Sequence, residues 1–177
     1  MKIDNLEIIY KYKELELARL NVESKFINEI VNWLNDKNHM KFSNQRFNFH
    51  TVDTQLEYIS NSQKSGNQYL AGIINEQLIG TSSVIFHNPH KVAEIGILIS
   101  NKETYKGIGS TLFNAVEDYV IKNFAIAKIR GGCVNENIGM KKIFEKNDYI
   151  LEATLKKEEI IDNRRTDLLV FSKYFDI

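Results

Sequence analysis

Residues 92–113 hold the residue types whose spacing best suits chemistry. An apolar run of strand length, Val92-Ala93-Glu94-Ile95-Gly96-Ile97-Leu98-Ile99-Ser100, meets a short polar turn. Thr104-Tyr105-Lys106-Gly107-Ile108-Gly109-Ser110-Thr111-Leu112-Phe113 then carries a Gly-x-Gly pair into an amphipathic helix. Glycine at a strand-to-helix junction lets the backbone approach a ligand closely, and the first N–H groups of a helix have no partner inside it. With the positive end of the helix dipole, these amides make a site for a phosphate or pyrophosphate.

The two familiar nucleotide motifs do not fit this junction. A P-loop requires Gly-x-x-x-x-Gly-Lys-Ser/Thr, a string the chain lacks. A dinucleotide fingerprint requires a third glycine three residues after the second, where Leu112 stands, and it follows the first strand rather than the fourth or fifth. The four histidines, His39, His50, His87 and His90, show no metal-binding spacing, so no metal is expected. The single cysteine, Cys133, excludes an internal disulfide and reads as a small buried hydrophobe rather than a reactive thiol.

The elements that must position this junction follow from pattern. Residues 15–20 alternate as a half-buried strand; Asn21 can cap a helix to about residue 35, and Thr51 a second one carrying Leu56 and Ile59. Strands are expected at 69–74 and 78–87 around an Asn75-Glu76-Gln77 turn, and from 91 to 100. A helix opened by Gly107 and Gly109 runs to about 123, then come a strand at 128–134, a helix at 136–146, and strands at 149–159 and 165–174. The pattern predicts one α+β domain over residues 1–177, a mixed sheet with helices on its faces. Lys plus Arg equals Asp plus Glu, 23 each, so no overall field draws nucleic acid or a membrane surface. With neither a leader-like nor a bilayer-length apolar stretch, a cytoplasmic protein is expected.

Thr104-Tyr105-Lys106-Gly107-Ile108-Gly109 resembles the acetyl-CoA motif Gln/Arg-x-x-Gly-x-Gly/Ala of the GCN5-related N-acetyltransferase (GNAT) superfamily. The likeness continues in Asn135-Glu136-Asn137-Ile138-Gly139-Met140 and in Glu145-Lys146-Asn147-Asp148-Tyr149, and covers nearly the whole chain. Trp33 with Asn35 and Asp36, the Tyr105–Gly109 turn and the late strand from Asp167 to Phe171 resemble the ribosomal-protein N-terminal (RimJ/RimL-like) type. Thr104 replaces the usual Gln or Arg, Gly139 stands where Ala is common, and Asn147-Asp148-Tyr149 replaces a Gly-Phe ending.

The resemblance implies a mostly antiparallel, seven-stranded mixed sheet splayed in the middle and flanked by about four helices. It implies acetyl-CoA as co-substrate, with Ile97, Leu98 and Ile99 bonding the pantetheine arm and Tyr105, Lys106, Gly107, Ile108, Gly109 and Ser110 around the pyrophosphate. Asn137 is placed near the pantetheine, and Lys146 or Lys141 at the ribose phosphate unless both are simply solvated. Glu94 is either the general base, through a water, or a strand-end carboxylate in an ion pair. The position of the usual acid Tyr is Phe144; Tyr149 and Tyr105 are possible substitutes or packing aromatics. The acceptor, a small amine such as an amino sugar or a peptide N-terminus, is expected near Phe42, Ser43, Gln45, Arg46, Phe47 and His50 and the last hairpin. There Glu158, Glu159 and Asp162 either attract a cationic amine or are solvated. A monomer or homodimer without nucleic-acid or membrane partners follows. A non-catalytic acyl-CoA-binding module and a nucleotide-binding protein of another fold are the competing classes.

Overall fold

The computed structural model describes residues 2–3, 6–102 and 107–176. In chain order the elements are β1 (Lys2–Ile3), β2 (Leu6–Tyr12), β3 (Leu15–Arg19), α1 (Ile27–Asn35), a 3-10 turn (Asn44–Phe47), α2 (Val52–Lys64), β4 (Gln68–Ile74), β5 (Gln77–His87), β6 (Val92–Ile99), α3 (Ile108–Asn123), β7 (Lys128–Val134), α4 (Ile138–Lys146), β8 (Ile150–Ile161) and β9 (Arg164–Tyr174). The strands form one sheet in the order β1-β2-β3-β4-β5-β6-β7-β9-β8. Every neighbouring pair is antiparallel except β6 with β7. This is the expected mixed α+β sheet with four helices, but β1 and β2 add two strands to the seven expected.

The hairpins owe their register to two-residue turns. Asn75 and Glu76 both take positive φ (49° and 63°), as do Asp162 and Asn163 (49° and 62°). Such turns match the right-handed twist of the flanking strands. Gln77, expected in the turn, already belongs to β5.

Strand periodicity divides the core between the two faces of the sheet. Leu17 and Leu70 pack with α3 and α4, alongside Ala93, Ile95, Phe113, Val116, Ile129 and Phe144. Their neighbours Ala18, Tyr69 and Ala71 face the other way, joining Ile30, Trp33, Met40 and Ile59 under α1 and α2. Helix α2 starts where expected: the Thr51 hydroxyl accepts from Thr54 N–H at 3.2 Å, and the Thr54 hydroxyl accepts from Thr51 N–H at 2.9 Å. Helix α1 starts six residues later than Asn21. Asn21 Oδ1 accepts from Glu23 N–H (2.9 Å) and Ser24 Oγ from Phe26 N–H (3.2 Å), so side chains fold 21–26 into turns before the helix begins.

Candidate functional site

The sheet opens at its centre. Strands β6 and β7 pair only through Val92↔Lys128, Ala93↔Ile129 and Glu94↔Arg130. Beyond Glu94, β6 keeps only β5, and beyond Arg130, β7 keeps only β9. The base of this fork is filled by Phe144 of α4, fully buried, stacked on Phe171 (centroids 4.8 Å) and edge-on to Phe113 (5.6 Å). Gly131 makes room for it: a Cβ there would stand 2.8 Å from the Phe144 ring and 3.0 Å from the Ile95 carbonyl oxygen.

The fork leaves polar backbone unpaired. Ser100 N–H donates to the Ile79 carbonyl of β5 at 2.9 Å, and antiparallel alternation then turns the N–H and C=O of Leu98 and Gly96 toward β5 as well. The same alternation turns the backbone groups of Ile97 and Ile99 into the opening. Of the three residues expected to hold an extended ligand arm through the backbone, Ile97 and Ile99 are oriented for it. Leu98 lends a side chain to the opposite face instead.

Helix α3 begins beside this opening. Gly107 caps it in the left-handed conformation (φ 71°, ψ 5°), so that Ile108, Gly109 and Ser110 form the first turn. A Cβ on Gly109 would lie 3.2 Å from Ile143 of α4 and 3.6 Å from Ile99 of β6, which places the first turn against the end of β6 and against α4. Thr104, Tyr105 and Lys106 lie outside the described residues. Lys146 is exposed in the last turn of α4, three residues beyond Ile143 and so on the same face. Asn137 caps α4, its Oδ1 accepting from Met140 N–H at 3.1 Å, while its amide nitrogen is able to donate to another partner.

Glu94 projects from the face of β6 that also carries Leu98, two residues from Gly96. Arg130 Nε and Nη2 each donate to Glu94 Oε2 at 3.1 Å, and His87 Nε2 lies 3.7 Å away. The side chain keeps 42% of its surface exposed. Tyr149 is buried against Phe113 and Phe144, and burial together with nearby Glu117 drives its phenol far above the usual tyrosine range. Cys133 is buried too, its thiol pushed up to about 11 by burial. That is the state of a packing residue, not of a thiolate nucleophile.

On the α1–α2 face, a cavity of about 570 Å³ reaches from Gly96, Ile97 and Leu98 to the segment at 40–50. Its floor carries Tyr69, Thr81, Ser83 and Gln55; its rim carries Ser43, Gln45, Asn48, Phe49, His50 and Tyr58. The Trp33, Asn35 and Asp36 pattern builds this rim. Trp33 is buried beneath it, and Asn35 both donates to the His50 carbonyl (2.7 Å) and accepts from His50 N–H (2.9 Å). Asp36 accepts from the N–H groups of Asn38 (3.0 Å) and His39 (3.1 Å).

Of the expected acceptor residues, Ser43, Gln45 and His50 line the cavity, whereas Phe42, Arg46 and Phe47 do not. Arg46 instead ties the loop to the last hairpin through the Ile160 carbonyl, Asn44 donates to Glu159 (2.9 Å), and Lys41 pairs with Asp162 (2.8 Å). Glu159 and Asp162 therefore clamp the loop. Gln55, Tyr69, Thr81 and Ser83 escaped sequence reasoning, because polar residues on otherwise apolar stripes show no period; only Gln55, a polar residue four before the core residue Ile59, left a trace. Among the described residues no group of His, Cys, Asp or Glu could hold a metal ion, and no helix is long and apolar enough to cross a membrane.

A mixed sheet forked between two parallel strands, with a glycine-capped helix beside the opening and a cavity on the far face, is the architecture with which the comparisons agree. Residues 15–150 match the family model of the acetyltransferase (GNAT) domain, and the chain belongs to that family, whose class is acyltransferase. A probable N-acetyltransferase, YjcK of Bacillus subtilis (strain 168), is 26% identical over 117 residues, 62% of this chain and 65% of that protein. The chain thus spans just under two thirds of this curated relative.

Solved structures with the same fold include RimL, a ribosomal L7/L12 alpha-N-protein acetyltransferase in complex with coenzyme A. It has a TM-score of 0.82 at 16% identity, covering 96% of this chain and 99% of that one. The spermidine N-acetyltransferase from Vibrio cholerae, in complex with CoA and spermine, also has a TM-score of 0.82, at 23% identity over 92% and 96% of the two chains. The Microcin C7 self immunity acetyltransferase MccE, in complex with acetyl-CoA and AMP, has a TM-score of 0.77 at 20% identity over 93% and 94%.

Proposed function

We propose that this chain is an acetyl-CoA-dependent N-acetyltransferase that acetylates the primary amine of a small molecule such as an amino sugar. A protein N-terminus is the alternative acceptor, the cytoplasm the compartment, and a monomer or homodimer the working form. The observation that carries the reading is the fork beyond Glu94 and Arg130, which leaves the backbone of Ile97 and Ile99 open between the first turn of α3 and the acceptor-side cavity.

In this reading the amides of Gly107, Ile108, Gly109 and Ser110 hold the diphosphate, Tyr105 and Lys106 just before them in sequence contribute to the same site, and Lys146 meets the ribose phosphate. Ile97 and Ile99 pair with the pantetheine arm, Leu98 bounds it on the cavity side, and the Asn137 amide contacts it. The acceptor nitrogen attacks the thioester carbon, the C–N bond forms, the C–S bond breaks, and the electron pair leaves on sulfur. A backbone N–H of β6 stabilises the developing oxyanion. An alkylamine, with a pKa near 10, arrives protonated at neutral pH and must lose that proton first. Glu94, on the cavity side of β6, takes it through a water. The nitrogen's second proton passes to the departing thiolate, giving the neutral amide and free thiol, and no strong acid is needed because a thiol titrates near 8.5. That suits Phe144, which has no hydroxyl to offer.

The test is thiol release from acetyl-CoA across amino sugars, other small amines and N-terminal peptides. Turnover with at least one amine is expected, and Glu94→Gln should lower kcat about a hundredfold with CoA affinity unchanged. Absence of CoA uptake by calorimetry on folded protein would sink the reading. The buried, hydroxyl-free Phe144 favours one competitor, a non-catalytic acyl-CoA-binding module, which predicts tight CoA binding and no turnover with any amine.

A further inference from the structure

Gly96 stands in the middle of β6, where neither backbone nor packing calls for a glycine. Its φ is not left-handed, and β6 passes through it without a bulge against β5. Other strand glycines make room for protein. A Cβ would stand 2.6 Å from Leu112 at Gly72, 2.6 Å from the Leu98 carbonyl oxygen at Gly80 and 2.8 Å from Phe144 at Gly131. At Gly96, chain neighbours aside, a Cβ would meet only Ser83 Oγ, at 3.0 Å, and the residue is exposed between β5 and the fork. Glycine inside a strand weakens it, and one with open space above it suits the close approach of a ligand.

The space over Gly96 opens into the cavity, and its borders carry chemistry. Glu94 and Leu98, two residues to either side on β6, share this face of the sheet. Arg130 donates twice to Glu94 Oε2 and leaves Oε1 without a protein partner among the described residues. The fork, where β6 has lost β7, forms another border. Ser83, directly opposite Gly96 on β5, closes the last. Its neighbour Ser82 donates to the Gly96 carbonyl oxygen at 2.9 Å. The Ser83 side chain makes no hydrogen bond among the described residues, and it lines the cavity only half-buried, open to a ligand.

We infer that Gly96 and Ser83 form the seat of the attacking nitrogen: the acceptor's amine crosses the sheet face over the bare Gly96, and Ser83 Oγ accepts an N–H hydrogen bond that holds it at the fork. This rests on the acetyltransferase reading and adds two residues to it. Ser83 keeps its own proton throughout. The ammonium still gives one proton to Glu94 through water, the nitrogen attacks the thioester carbon, and its second proton leaves with the thiolate. A neutral primary amine fits such a seat. One N–H meets Ser83, the other stays with the water, and the lone pair faces the thioester.

The experiment measures thiol release from acetyl-CoA with glucosamine, ethanolamine, spermidine and a seryl tripeptide, and follows the amine turned over fastest. Wild type is compared with Ser83→Ala, Gly96→Ala and the double variant, with CoA affinity by calorimetry verifying each fold. Ser83→Ala should lower kcat/KM for the amine about 10- to 100-fold, the loss expected from one hydrogen bond to a charged group, with CoA affinity within about twofold. Gly96→Ala should cost at least as much, because its methyl occupies the seat. Adding Ser83→Ala to it should then cost less than about twofold more, since the nitrogen no longer reaches the hydroxyl. Ser83→Ala within about twofold of wild type, an unimpaired Gly96→Ala, or losses that multiply in the double variant would overturn the assignment. So would rescue of Gly96→Ala by Ser83→Ala, which would trace the defect to the 3.0 Å contact. Should Gly96→Ala fail to fold, Ser83→Ala, which removes a single oxygen, decides alone. If folded, CoA-binding wild type turns over no amine, the acetyltransferase reading falls and the seat with it; turnover that neither substitution affects removes the seat alone.

Discussion

Gly107 separates two effects that glycine substitutions usually mix. Its φ of 71° is left-handed, yet a Cβ placed on it meets nothing within 4 Å. Gly107→Ala should therefore cost only the conformational penalty, about 1 kcal/mol, in urea unfolding, with the m-value unchanged. A cost near zero would mean that the turn relaxes to another conformation, and CoA affinity measured on the same sample should then fall with it. At this scale the strand-to-helix junction and the α4 cap were legible in advance, because Gly-x-Gly and the Asn135 to Tyr149 run are local strings whose geometry is set by neighbours in sequence. The cavity floor was not. Gln55, Tyr69, Thr81 and Ser83 come from α2, β4 and β5, and only the folded sheet brings them together.

Element packing decides how the fork stays open. Phe144 reaches from α4 over Gly131, and the space above that glycine is closed on one side by the ring and on the other by the Ile95 carbonyl. Backbone on the β6 side cannot yield without disturbing its pairing with β5, so Gly131→Ala should destabilise by about 1–3 kcal/mol as overpacking. The midpoint of chemical denaturation measures this. A change within about 0.5 kcal/mol would show that Phe144 can swing aside and does not set the fork. Most elements were readable from periodicity, but β2 was not, for a physical reason. Its register against β3 shifts between Ile8 and Tyr10, and this bulge breaks the alternation that would have announced a strand. Likewise the 40–50 segment has no period because side chains anchor it to distant backbone, Asn35 to His50 and Arg46 to Ile160. Where local bonding and tertiary demand agree, as at Thr51, the sequence announces the element; where Asn21 and Ser24 bond their own turn, it misplaces the helix start by a turn and a half.

The whole molecule carries equal numbers of basic and acidic side chains, 23 each, so in the proposed reading the hold on an anion as large as coenzyme A is local rather than the work of a global field. Both cores lie on one sheet, with Leu17 and Leu70 on one face and Ala18 and Ala71 on the other, so that neither can melt without exposing the other. Unfolding should accordingly be a single transition, and a ligand gripped at the fork should shift it as one. Coenzyme A at about 100 times its Kd stabilises a one-site protein by about 2.7 kcal/mol. For a chain of this size that corresponds to roughly 5–10 °C in Tm. ATP and NAD share the diphosphate but not the pantetheine arm, and at equal concentration they should produce clearly smaller shifts, because the Ile97 and Ile99 backbone then stays unpaired. Two resolved transitions would separate the cores into independent units, and a larger shift with ATP or NAD than with coenzyme A would transfer the site to a different ligand class. A CoA shift that persists from low to moderate salt would show the amides, not lysine side chains, to be the principal hold.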